Sequence, residues 1–273
     1  MICRRMSILL LHPGSTPGIS TNVATMQTFK VCYNVDMKSF SSFGLDSGLL
    51  ADYSHDQFPT RLHAFHGEPL ELSERGSTFY GFIFDTVHGA RAKIEMAGGR
   101  VFALDKGMYF CSNEPLIISD GIGIAIERLM HNGMFMMGGP VEKNGRLKYI
   151  DGCTDSLLIP PVRKGDPCLN SLHFPENIDQ TMHTPPSMRL GLVSDGGGIC
   201  ITPDEETVMY PGQVFGIHTM APHKFRTGSG QTMTVVAYHP DSDFGPGDED
   251  HPMLNRTSVD GVAARDIPLI RTK

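Results

Sequence analysis

The feature that most constrains this chain is its rhythm. Short runs of β-branched and aromatic residues recur along it, and glycine or proline soon cuts off each one. Residues 78–85 are dense in Phe, Tyr and Ile, which fit a pleated and buried surface. Residues 91–96 alternate polar and apolar up to Gly98-Gly99, and residues 101–104 follow as a further run. The clearest period of two is in residues 121–129, with Ile122, Ile124 and Ile126 on one face and glycine or alanine on the other. A second series is predicted at residues 172–174, 189–193, 199–202, 214–217 and 232–238. No stretch in either series sustains an amphipathic helix for three turns. The 30 glycines and 19 prolines are spread along the chain and supply turns throughout. Strands at this spacing, without helical interludes, predict an all-β barrel or jelly roll.

Size and charge narrow the function classes. A chain of 273 residues suits one large domain or two small ones with a substantial core. A net charge of −7 without clustered Lys and Arg gives no footprint for nucleic acid. No segment approaches the roughly 20 apolar residues of a membrane span. The apolar run at residues 8–11 is shorter than the roughly 7–15 residues of a secretory core, so a cytoplasmic protein is expected. Met26 and Met37 are alternative starts. The six cysteines form no CxxC pair or zinc-ribbon spacing and read as reduced, mostly buried thiols. Residues 1–40 read as an irregular arm or a strand laid on another subunit. The Met-rich residues 130–139 read as core gap-filling or a subunit contact, and residues 140–170 as a connection between two halves.

Two pieces carry the candidate chemistry. One runs His183-Thr184-Pro185-Pro186-Ser187-Met188-Arg189-Leu190-Gly191, and the other runs from Pro211-Gly212 to His223. A turn, Ser194-Asp195-Gly196-Gly197-Gly198, follows the first. Together they resemble the two motifs of the cupin superfamily, G-x5-H-x-H-x3,4-E-x6-G and G-x5-P-x-G-x2-H-x3-N. Aligned on Gly196, His183 falls at the first histidine of the family, Pro185 at the second and Arg189 at the glutamate. In the second motif His223 falls at the metal-binding histidine, while His218, Met220 and Thr227 replace the usual Pro, Gly and Asn. Residues 105–110 are similar to the second-motif turn but lack a following histidine. The resemblance implies two tandem cupin-type barrels of the double-stranded β-helix kind. The expected division is an arm at 1–60, a degenerate barrel at 61–150, a site-bearing barrel at 151–250 and a tail at 251–273. The acidic stretch at 239–250 reads as a solvated loop.

The resemblance also implies a metal held by His183 and His223. Gln180, through its amide oxygen, or His239 would complete the shell, with His218 a further candidate. The expected cofactor is a divalent Fe, Zn, Mn or Ni. Arg189 cannot ligate a metal and is always charged, so inside a barrel it needs a partner. A protein carboxylate and a bidentate substrate anion both satisfy that requirement. Tyr238, beside His239, is a candidate proton donor. Ser187 lacks the G-x-S-x-G context of a hydrolase nucleophile. The expected function is a metal-dependent enzyme acting on a small carboxylate-type anion, a non-haem dioxygenase first and a lyase or isomerase next. The competing expectation is a metal-free binding or regulatory barrel. Exposed strand edges predict a homodimer.

Overall fold

The computed structural model describes residues 2–13, 22–33, 38–243, 252–268 and 270, the first two ranges as backbone alone. Ile2–Pro13 pairs antiparallel with Asn22–Tyr33, where the sequence predicts an irregular arm or a single strand. This hairpin belongs to a unit of its own, Met1–Lys38, distinct from Ser39–Lys273. Met37 and residues 244–251, the later part of the acidic stretch, lie outside the described residues.

The second unit is all-β in its barrels, and every strand pair in it is antiparallel. In the first barrel Thr60–His66, Gly121–Arg128 and Thr78–Thr86 are neighbours in a six-stranded sheet. A four-stranded sheet built on Leu116–Ser119 and Ala92–Met96 closes over it. Phe65, Phe79, Ile83, Ile94, Phe110 and Ile118 fill the space between the two. In the second barrel a seven-stranded sheet runs through Cys168–Phe174, Met233–His239, Arg189–Gly196 and Val214–Ile217. A three-stranded sheet of Glu206–Met209, Gly198–Ile201 and Lys224–Arg226 covers it. Among the described residues the one α-helix is Pro252–Arg256, and no helix is long and apolar enough to cross a membrane.

The large sheets of the two barrels pack against each other, so their central strands are buried on both faces. Ile124 and Ile126 join Leu190, Leu192, Val214 and Val236 in a third core between the barrels. Each such aliphatic side chain contributes about 1.5–3 kcal/mol when fully buried. The opposite face of Gly121–Arg128 lines its own barrel. There a side chain at Gly123 would meet the Phe82 carbonyl and, at 2.8 Å, the Phe65 ring. Gly191 repeats the device, since its absent Cβ would lie 2.5 Å from the Val236 carbonyl and 2.7 Å from the Phe215 ring. Glycine alternating with Ile or Leu therefore marks strands shared between two cores. Met136 packs into the core between the barrels and Met137 into the first barrel, as gap-fillers do.

Strands also form within stretches that the sequence leaves open. Residues 140–170 contribute Thr154–Ile159, which pairs with Cys168–Phe174. Before residue 60, Phe40–Phe43 pairs with Val214–Ile217 at the edge of the second barrel, and Gly48–Tyr53 pairs with Thr60–His66 in the first. The segment thus straps both barrels.

Candidate functional site

Alternation decides what enters the second barrel. Along Cys168–Phe174 the even residues Asn170, Leu172 and Phe174 point inward, and along Met233–His239 the odd residues Val235, Ala237 and His239 do. Arg189 begins its strand and also faces in. The interior holds two adjoining lobes. The first, of about 150 Å³, is walled by Leu172, Phe174, Phe215, Ile217, Val235 and Ala237, with Gln180, His183, Arg189, His223 and His239 as its polar groups. The second, of about 430 Å³, lies towards Asp155, Asn170 and Asp241. Pro186, Arg189 and His239 line both.

His183 and His223 are held as a pair. Their backbones bond reciprocally, His183 N–H to the His223 carbonyl at 3.0 Å and the reverse at 2.9 Å. The ring centroids are 4.5 Å apart, with the planes tilted by 55°. Each ring lies against the carbonyl two residues upstream, Thr181 at 2.8 Å and Ala221 at 3.1 Å, through Nδ1. A carbonyl only accepts, so Nδ1 carries the proton in both and Nε2 keeps its lone pair. Burial pushes the His223 pKa down to about 4, against the pull of the Ala221 carbonyl, and His183 and Arg189 add to the depression. Burial, with Arg189 beside it, also keeps His239 well below the ordinary histidine range. Both His223 and His239 are therefore neutral at pH 7.

Arg189 is tethered at one end. Its Nη1 donates to the carbonyls of Ser187 at 3.1 Å and Met188 at 3.0 Å and to the Ser187 hydroxyl. That hydroxyl donates in turn to Asp241, whose carboxylate is 3.7 Å from Nη1. All of the described hydrogen bonds of the guanidinium leave from Nη1. Burial lowers its pKa, while Asp241 opposes the shift. No Asp or Glu lines the first lobe, so Arg189 gives it a permanent positive charge.

Other expected residues have different roles. The Gln180 oxygen accepts from the Phe225 N–H at 3.2 Å and its amide nitrogen bonds the Cys153 sulfur at 3.3 Å, so the side chain stitches the barrel wall beside the lobe. Tyr238 is not brought into the cavity. It is fully buried on the outer face of its strand, against Tyr80 with ring centroids 5.1 Å apart, because its neighbour His239 takes the inward position. His218 bonds the Ser41 hydroxyl at 3.2 Å and does not line either lobe. Lys224 and Arg226, which flank His223, pair with Asp179 and Glu206. The four described cysteines are buried, with burial raising the thiols of Cys111, Cys168 and Cys200 to about 12. Sequence reasoning misses Asp155, Asn170 and Asp241, which sit in no motif.

The donor set can be tested against a divalent metal. The two Nε2 atoms of His183 and His223 suit one. Among the described residues, however, no group of three His, Cys, Asp or Glu is placed to hold it together. The Gln180 oxygen already accepts a backbone N–H, and a guanidinium shares the cavity. These residues do not fit a metal centre built from protein ligands.

No family model matches the sequence, and neither does any curated protein. Solved structures do match the fold. A cupin 2 conserved barrel domain protein from Leptotrichia buccalis superposes with a TM-score of 0.50 at 13% identity, over 76% of this chain and 91% of that one. A variant of the salicylate 1,2-dioxygenase from Pseudoaminobacter salicylatoxidans gives 0.50 at 9% identity, over 66% and 70%. The molecule is thus an all-β protein of two fused barrels with one polar cavity in the second. Its fold is that of the cupin superfamily, in the two-barrel form.

Proposed function

We propose that the second barrel binds a small anion of the carboxylate class at Arg189, with neutral His239 and His223 beside it as hydrogen-bonding groups. The observation that carries this reading is electrostatic: a buried guanidinium, tethered through Nη1 alone, supplies the charge of an apolar lobe without acidic residues. A guanidinium suits a carboxylate because its fork can meet both oxygens at once. The apolar wall excludes water and strengthens the pairing. By name, the salicylate dioxygenase among the fold neighbours acts on a molecule of this class.

Dioxygenase, lyase or isomerase chemistry on that anion is the expectation that the family resemblance brings. The polar side chains of the first lobe can bind, orient and desolvate a carboxylate, and they include no carboxylate base. The reading favoured here is therefore an anion-binding barrel. Calorimetric titration of a panel of small carboxylates (acetate to butyrate, benzoate, salicylate) tests it. Loss of a charged hydrogen-bond pair costs about 1.5–3 kcal/mol, or roughly 10–100-fold in affinity, so Arg189→Met should weaken binding by that factor. Binding that is indifferent to Arg189→Met and to Arg189→Lys, in variants with wild-type circular dichroism, would overturn the reading. Elemental analysis addresses the metal: a stoichiometric metal in the wild type that is lost from the His183→Ala/His223→Ala double variant would replace the metal-free form of the proposal with a metalloprotein.

A further inference from the structure

The second lobe has a polar end that the anion reading does not use. Asn170 is only 7% exposed, and its amide nitrogen donates to Asp155 Oδ2 at 2.9 Å. Two acceptors remain there. Asp155 Oδ1 and Asn170 Oδ1 are both buried and have no hydrogen-bond partner among the described residues. Both side chains line the second lobe, as Arg189 and His239 do. Buried acceptors left without donors cost about 1–3 kcal/mol each, and native structures keep few of them. A pair of them, one on a carboxylate, facing a cavity of about 430 Å³ is a site that lacks its donor.

We propose that Asp155 and Asn170 receive an ammonium group, so that the molecule this barrel takes is zwitterionic, with its carboxylate at Arg189 and its protonated amine at the Asp155–Asn170 end. The zwitterionic part of the proposal rests on the anion reading of Arg189. The ammonium site itself does not. An ammonium brings three donors and a positive charge, which satisfies both orphaned oxygens and neutralises the carboxylate. A neutral hydroxyl would satisfy the oxygens without compensating the charge. Asp241 also lines the second lobe, but the Ser187 hydroxyl donates to it and Arg189 lies 3.7 Å away, so Asp155 is the carboxylate with a free buried oxygen.

Ligand-observed NMR titration at pH 7.5 with two matched series provides the test. Glycine, β-alanine and 4-aminobutyrate form one series; acetate, propionate and butyrate form the other, and propylammonium serves as the amine-only probe. At least one amino acid should bind tenfold or more tightly than its alkanoate partner. Asp155→Asn should bring the two to within twofold of each other, and Asn170→Leu should do the same by removing the second acceptor. Amino acids and alkanoates binding alike in the wild type would overturn the ammonium site while leaving the anion reading intact, since the two oxygens would then hold only water. Propylammonium binding that depends on Asp155, with no alkanoate binding, would support the ammonium site and sink the anion reading. Failure of all three probe classes would overturn both.

Discussion

Replacing Asp155 with asparagine should make this protein more stable, and only above acid pH. Burial lifts the Asp155 carboxyl from 3.8 to about 6, against the hydrogen bonds from Asn170 and the Ser156 backbone. The folded chain thus holds the proton to a higher pH than the unfolded chain. The carboxyl's contribution to stability is intact below pH 3.8, falls as pH rises between 3.8 and about 6, and is flat above that. Two pKa units at about 1.36 kcal/mol each come to nearly 3 kcal/mol. The side chain is only partly buried, so solvent screening reduces the working figure to about 1.5 kcal/mol. Asp155→Asn removes the ionisation and retains an oxygen for the Asn170 amide. It also supplies an N–H for the orphaned Asn170 oxygen. Thermal melts followed by circular dichroism should show Tm raised by about 3–6 °C at pH 7.5, at about 2–4 °C per kcal/mol for a chain of this size, with most of the gain gone at pH 4. An equal gain at both pH values, or a loss at pH 7.5, would refute the claim that the carboxylate is held ionised at a desolvation cost. A residue retained at such a cost is what a ligand-binding role predicts.

Two further variants test the packing argument. Gly191→Ala drives a Cβ to 2.5 Å from the Val236 carbonyl and 2.7 Å from the Phe215 ring, both fixed in the barrel wall. Overpacking of this kind costs about 1–3 kcal/mol, so Tm should fall by several degrees and the anion site beside it should weaken; an unchanged melting curve would count against the register of the two strands. Tyr238→Phe deletes a buried hydroxyl without a hydrogen-bond partner, so stability should hold or rise and affinity for carboxylates should stay within twofold. A tenfold loss of affinity would return that hydroxyl to the site.

The sequence carried the strands wherever a run of β-branched residues ended at glycine. It was less informative about which face of each strand is buried. Residues 121–128 read as one apolar face backed by glycine and alanine, yet both faces are buried, because Phe65 fills the space above Gly123 and the second barrel covers Ile124 and Ile126. Such fits join residues far apart in the chain, and no local pattern records them. Gln180, His183, Arg189, His223 and His239 were picked out from sequence, and the fold gathers all five around one lobe. Tyr238 was placed with them, although strand alternation forbids two adjacent residues from facing the same cavity. Asp241 belonged to a stretch read as solvated, and its link to Arg189 through Ser187 depends on the path of the chain after the last barrel strand. Asp155 and Asn170 are single polar residues in strands, which the sequence gives no reason to join.

The strap formed by residues 40–53 has a consequence for synthesis. Phe40–Phe43 leaves the ribosome early, but its pairing partner Val214–Ile217 follows roughly 170 residues later, a wait of roughly 10–35 s at ordinary rates of translation. Throughout that interval an apolar strand with Phe40 and Phe43 stands beside a first barrel whose outer isoleucine face is also waiting for its cover. The nascent chain therefore passes through a long stage in which two complementary greasy surfaces precede the barrel that will bury them. Chaperone engagement, rather than spontaneous vectorial folding, is the physical situation this architecture creates.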